Sequence, residues 1–174
     1  MDDRLHVLIA EDETLIRLDL RQLLESEGLA VCAEARDGLE AVELARETQP
    51  DAAILDMKMP NLDGIEAARR IYAERPIPIV MLTAYADPVL VERAIGAGVF
   101  AYLVKPFRST DVVPTLRAAV ARHAELLVSR RERGQGGTPI EVEVRSSTGT
   151  VYPLRLRRGP DGTLKVSLGS GDTS

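Results

Sequence analysis

A chain of 174 residues, 45% apolar and 28% charged, has room for one ordinary globular domain and a small appendage. The net charge of −5 is uneven: residues 1–128 carry 14 Lys/Arg against 22 Asp/Glu, a net of −8, and residues 129–174 carry 8 against 5, a net of +3. An acidic body argues against nucleic-acid binding by the main domain, while the basic end permits anion contact and is more simply a solvated tail. Cys32 is alone, which excludes an intramolecular disulfide; in Leu29-Ala30-Val31-Cys32-Ala33 it serves as a small hydrophobe. No apolar stretch reaches the roughly 18 residues of a membrane span. Met1-Asp2-Asp3-Arg4 does not open a signal peptide, so a cytoplasmic location is expected.

Along the chain, short apolar runs alternate with segments of helical period. The runs are Leu5–Ala10, Leu29–Ala33, Ala52–Leu55, Ile79–Leu82 and Ala101–Val104. Bounded by polar and turn residues, they suit buried strands of a parallel sheet. The first helix is marked by Leu15, Leu18, Leu20, Leu23 and Leu24, with Thr14 as its expected N-cap and Gly28 as its stop. Leu39, Val42, Leu44 and Ala45 mark the second, and Ile65, Ala68 and Ile71 the third, which Asp63-Gly64 opens. A fourth follows Asp87-Pro88, carries Val91, Ala94 and Ile95, and ends at Ala97-Gly98. The fifth starts near Ser109 or Thr110, tolerates Pro114 in its first turn, and runs to about Arg131. Five strand–helix units in strict alternation predict an α/β fold with a five-stranded parallel sheet and helices on both faces. Ligands of such sheets bind beyond the carboxyl ends of the strands.

The residues just past those strands are chemically matched. Glu11 and Asp12 follow the first, Asp56 ends the third, Thr83 ends the fourth, and Lys105-Pro106 ends the fifth. Any one of them has a duller role as a cap, a turn former or a loop residue. Together they place three carboxylates, a hydroxyl and an amine on one rim. Crowded carboxylates repel unless a cation joins them. Mg²⁺ suits such a site, because it prefers oxygen and accepts one or two carboxylates with water and phosphate. Lys105 adds a charge that can neutralise a phosphoryl oxygen, and Thr83 a hydroxyl that can donate to another. Asp56, expected to lie deepest, is then a carboxylate nucleophile whose product is an aspartyl phosphate. Catalysis would be positioning and electrostatics.

Four segments resemble the receiver domains of two-component response regulators: Leu8-Ile9-Ala10-Glu11-Asp12-Glu13, Ile54 to Gly64, Met81-Leu82-Thr83-Ala84 and Tyr102-Leu103-Val104-Lys105-Pro106-Phe107. The resemblance covers about residues 5–127. It implies a flavodoxin-like fold, phosphoryl transfer from a sensor histidine kinase to Asp56, and Mg²⁺ held by Glu11, Asp12, Asp56 and the backbone carbonyl of Lys58. It also implies a cis Lys105–Pro106 bond and a switch in which Thr83 moves toward the phosphoryl group and Tyr102 fills the vacated space. The altered face would comprise the fourth helix, fifth strand and fifth helix, and would control dimerisation or partner binding. Tyr85, next to the switch Thr, is expected to cover the pocket partly. Arg17-Leu18-Asp19-Leu20 and Leu103 to Arg108 are most similar to the receivers of antiterminator-type (ANTAR) regulators, but nothing after about Arg133 resembles the ANTAR helices. Aspartyl-phosphate phosphatases usually carry an acid two residues after the nucleophile, where this chain has Lys58, so an enzyme of that class is not expected.

The expected layout is a receiver at 1–128, a helix end and linker at 129–138, a small β extension at 139–169 and a disordered tail at 170–174. The surplus turn Glu125-Leu126-Leu127-Val128 can pair with a second copy. In the extension the period becomes two: Ile140, Val142 and Val144; Val151, Leu154 and Leu156; Leu164, Val166 and Leu168. This spells a three-strand β-meander with too few apolar residues for a core of its own. Arg155, Arg157, Arg158 and Lys165 leave open an alternative, a nucleic-acid-binding, antiterminator-like transcriptional regulator. His6 and His123 are assigned no catalytic role.

Overall fold

The computed structural model describes residues 4–84, 93–94, 97–132, 140–145, 151–158 and 164–168, with side chains to residue 128. Five parallel strands form the body: β1 (His6–Ala10), β2 (Ala30–Ala35), β3 (Ala52–Asp56), β4 (Ile79–Thr83) and β5 (Val99–Val104). Their spatial order is β2-β1-β3-β4-β5. The chain goes from β1 out to β2 and then crosses back to β3, which opens the switch point between the carboxyl ends of β1 and β3.

The burial of each strand explains its sequence. β3 and β4 are buried throughout, as expected of central strands covered on both faces, and read as unbroken apolar runs. β2 is an edge strand with only Ala35 fully buried, so Cys32 is half-buried, and its thiol, pushed up by burial, contacts the Thr48 hydroxyl at 3.7 Å. One apolar layer joins Leu8, Leu55, Met81 and Tyr102 to α2 (Gly38–Thr48) and α3 (Gly64–Glu74). The other joins Ile9, Ile54, Leu82 and Leu103 to α1 (Thr14–Ser26) and to the long helix Ser109–Glu132.

Helix ends follow local chemistry, with one correction. Asp37 and Asp63 cap α2 and α3, each carboxylate accepting a backbone N–H three residues on at 2.9 Å. The expected N-cap Thr14 is instead the first helical residue of α1; Glu13 holds the cap position without a side-chain cap bond. Its N–H is drawn back to the Glu11 carboxylate at 3.1 Å, so the functional rim, not a capping side chain, takes that donor. Gly28 and Gly98, at φ 81° and 79°, adopt the left-handed conformation expected where helices stop.

The long helix includes Pro114 and runs through Glu132, past the expected receiver boundary at 128. Leu127 and Val128 on its overhang are exposed. His123 packs inward, edge-on to Phe100 at a centroid distance of 5.1 Å, a structural role. Beyond it, β6 (Ile140–Arg145) pairs parallel to β5, and β7 (Val151–Arg158) and β8 (Leu164–Leu168) follow antiparallel. The Tyr85 loop, most of the fourth helical segment, the linker, both turns of the extension and the tail lie outside the described residues. Among the described residues, no helix is long and apolar enough to cross a membrane.

Candidate functional site

The strand ends bring the expected residues together. Ligand oxygens of Glu11, Asp12 and Asp56 lie within 4.8 Å of one another. The Lys105 ammonium sits between two of them, 2.7 Å from Glu11 Oε2 and 2.9 Å from Asp56 Oδ1. Thr83 is buried at the end of β4, where its hydroxyl contacts the Met57 sulfur at 3.7 Å. The Lys105 N–H donates to the Thr83 carbonyl at 2.7 Å, which ties the ends of β4 and β5 together, and the Lys105–Pro106 bond is cis.

Glu11, fully buried, is deeper than Asp56 at 6% exposure, the reverse of the sequence expectation. The Glu11 N–H still bonds to the Ala35 carbonyl at 3.1 Å, which carries the β1–β2 pairing one residue past the end of β1. Asp12, one residue further, is exposed.

Burial pushes the carboxyls of both Glu11 and Asp56 up from ordinary values, and Lys105 opposes the rise in each. Burial would lower Lys105, but its hydrogen bonds to Glu11 and Asp56 outweigh that and hold the ammonium above the usual lysine range. Three close carboxylates served by one ammonium leave uncompensated negative charge. The donors are hard oxygens, half-open to solvent on the Asp12 side, so the set fits Mg²⁺ better than a softer metal.

The β3–α3 loop is held tight. Met57 N–H donates to Leu82 O at 2.9 Å, and Gly64 N–H to Met57 O at 3.0 Å. A Cβ on Gly64 would stand 1.9 Å from the Asp56 carbonyl oxygen, so only glycine lets α3 start against the backbone of Asp56. Tyr102 is 1% exposed, its phenol raised by burial, so it lies fully inside the core.

One member was missed by sequence reasoning. Arg17 is buried on the inner face of α1, where it donates to the Glu11 carbonyl at 2.6 Å. Its signal was available: Arg17, Leu20 and Leu24 share the spacing of the buried stripe. The cleft between α2 and α3, about 270 Å³ and lined by Arg46, Glu74 and Arg75 among others, contains none of the rim residues.

A doubly wound parallel sheet with this acidic rim, hydroxyl and lysine defines a receiver, and residues 7–117 match the family described as the response regulator receiver domain; the chain belongs to that family. The receiver domain itself is not a conventional enzyme. The chain is 54% identical over 163 residues to the transcriptional regulatory protein PdtaR of Mycobacterium tuberculosis, an ANTAR-type regulator, covering 94% of this chain and 74% of that one. Among solved structures, the signal receiver domain of a modulated diguanylate cyclase from Desulfovibrio desulfuricans superposes with a TM-score of 0.66 at 34% identity, covering 71% of this chain and 99% of that one. A chain of the CheX-CheY-BeF3-Mg complex from Borrelia burgdorferi does so at 0.61 and 29%, covering 63% and 84%.

Proposed function

We propose that this chain is the phosphoacceptor of a two-component relay, taking a phosphoryl group from a sensor histidine kinase onto Asp56. The observation that carries the reading is Lys105 bridging Glu11 and Asp56 inside a cluster of three carboxylates. An Asp56 carboxylate oxygen forms the new P–O bond as the donor's P–N bond breaks, and the electron pair leaves with the donor imidazole. Lys105, already charged and tethered, turns from the Asp56 oxygen to a phosphoryl oxygen. The Thr83 hydroxyl donates to another. Glu11, Asp12, Asp56 and the Lys58 carbonyl would hold Mg²⁺, whose charge offsets that of the phosphoryl oxygens. A likeness to CheY in a beryllofluoride–magnesium complex supports the assignment.

The output reading couples Thr83 to Tyr102 and thence to the face formed by the fourth helical segment, β5 and the long helix, where a second copy or another partner binds. Residues 1–128 act as the receiver, 129–138 as connection and 139–169 as a β-meander. Its strand β6 lies along β5, with Val144 opposite Tyr102, so the extension adjoins the proposed switch. A cytoplasmic setting follows from the relay chemistry. The likeness to PdtaR supports a role in transcription regulation, with the basic extension as the alternative, nucleic-acid-binding output.

Light scattering with and without beryllofluoride and Mg²⁺ tests the output. The mass of the wild type is expected to double, and that of Asp56→Asn to stay unchanged. An unchanged wild-type mass removes dimerisation and shifts attention to a separate partner. Retention of nucleic acid on filters, falling steeply with salt, would favour the alternative.

A further inference from the structure

We propose that Arg17 is a positioning residue for the acidic rim: held by Glu34, it fixes the Glu11–Asp12 peptide and so sets the geometry in which the carboxylates receive Mg²⁺. The inference rests on the reading of the site given above. Three observations carry it. The Arg17 Nη1 donates to the Glu11 carbonyl at 2.6 Å in a buried setting. Its Nε lies 3.6 Å from Glu34 Oε2, and Glu34 in turn accepts from Arg21 at 2.6 Å. Arg17 itself is only 9% exposed on a helix face otherwise made of leucine.

A buried guanidinium is costly unless its donors are used. Here they join three elements: α1, the end of β1, and β2. The Glu11 carbonyl belongs to the peptide that leads directly into Asp12. Rotating that peptide would swing the Asp12 side chain away from Glu11 and Asp56. The other handles on Glu11 fix different atoms: Ala35 O takes its N–H, Glu13 N–H holds Oε1, and Lys105 holds Oε2. Among the described residues, Arg17 is the group on the carbonyl, and so the handle that aims Asp12.

Side chains that orient metal ligands from behind typically alter affinity 10–100-fold when lost. The test is Mg²⁺ titration of the full chain by calorimetry, with thermal melting alongside. Arg17→Met is expected to weaken Mg²⁺ about tenfold or more. Arg17→Lys keeps a charge and can reach Glu11 or Glu34 but not both, so it is expected to melt near wild type yet still bind several-fold more weakly. Glu34→Gln, which leaves every atom of the rim in place, is expected to weaken Mg²⁺ by a smaller factor through Arg17. A purely structural Arg17 would shift melting in Arg17→Met and leave the Mg²⁺ constants of folded Arg17→Lys and Glu34→Gln at the wild-type value; that result overturns the inference while the site reading stands. A wild type that binds no Mg²⁺ overturns both.

Discussion

Asp56→Asn is expected to lose phosphoryl incorporation from a labelled small phosphodonor down to background, with the fold intact. The amide has the shape of the carboxylate but lacks the anionic oxygen that attacks phosphorus. The fold should survive because Lys105 keeps its 2.7 Å contact to Glu11. Removing one of three crowded carboxylates also relieves repulsion, and Asp56 carries a desolvation penalty that the neutral amide avoids. The melting temperature is therefore expected to hold or rise in the absence of Mg²⁺. Hydroxylamine-labile label on the variant at the wild-type level would mean another carboxylate is the acceptor. Glu11 cannot readily replace it: both its oxygens are engaged, by Glu13 N–H and by Lys105.

Gly64→Ala is expected to be strongly disruptive, because among the described glycines its added methyl makes the closest approach. Even the full interior helix propensity would favour alanine by only about 1 kcal/mol, and Gly64 is the first residue of α3. Against that gain, the new Cβ would stand 1.9 Å from the Asp56 carbonyl oxygen and 3.1 Å from Met57 Cα, both backbone atoms that no rotamer change can move. Overpacking against backbone costs about 3 kcal/mol or more, so the steric effect wins. The displaced atoms belong to Asp56, the proposed acceptor, so phosphoryl incorporation should fall with stability. Gly28→Ala is the contrasting control. Nothing lies within 4 Å of its Cβ, and the cost is the left-handed backbone at φ 81° alone, about 1 kcal/mol. Urea denaturation should show a far smaller midpoint shift for Gly28→Ala than for Gly64→Ala; equal shifts would refute the close-approach argument.

The central strands were legible because burial on both faces leaves an unbroken apolar signature, as in Ala52–Asp56 and Ile79–Thr83. The rim was legible because a parallel sheet turns the end of every strand toward the same side. The alternation of runs and helical periods therefore already places Glu11, Asp12, Asp56, Thr83 and Lys105 together. Edge strand β2 was less so: half-exposed, it runs on to Ala35, two residues beyond its apolar run. Thr14 was misplaced because a capping residue is recognised by type, whereas the Glu13 N–H was claimed by a carboxylate from the rim.

The sequence by itself determined the fold class, the side of the sheet that carries chemistry, and the residue types found there. Periodicity and strand-end chemistry are local, and local pattern is what a sequence displays. Only the tertiary structure decided the order of depth at the site, the pairing of Lys105 with both Glu11 and Asp56 across 94 and 49 positions of chain, and the recruitment of Arg17. Depth depends on what packs over a residue, and an ion pair depends on which strand ends meet. Both are set by strand order, here β2-β1-β3-β4-β5, which no single segment encodes.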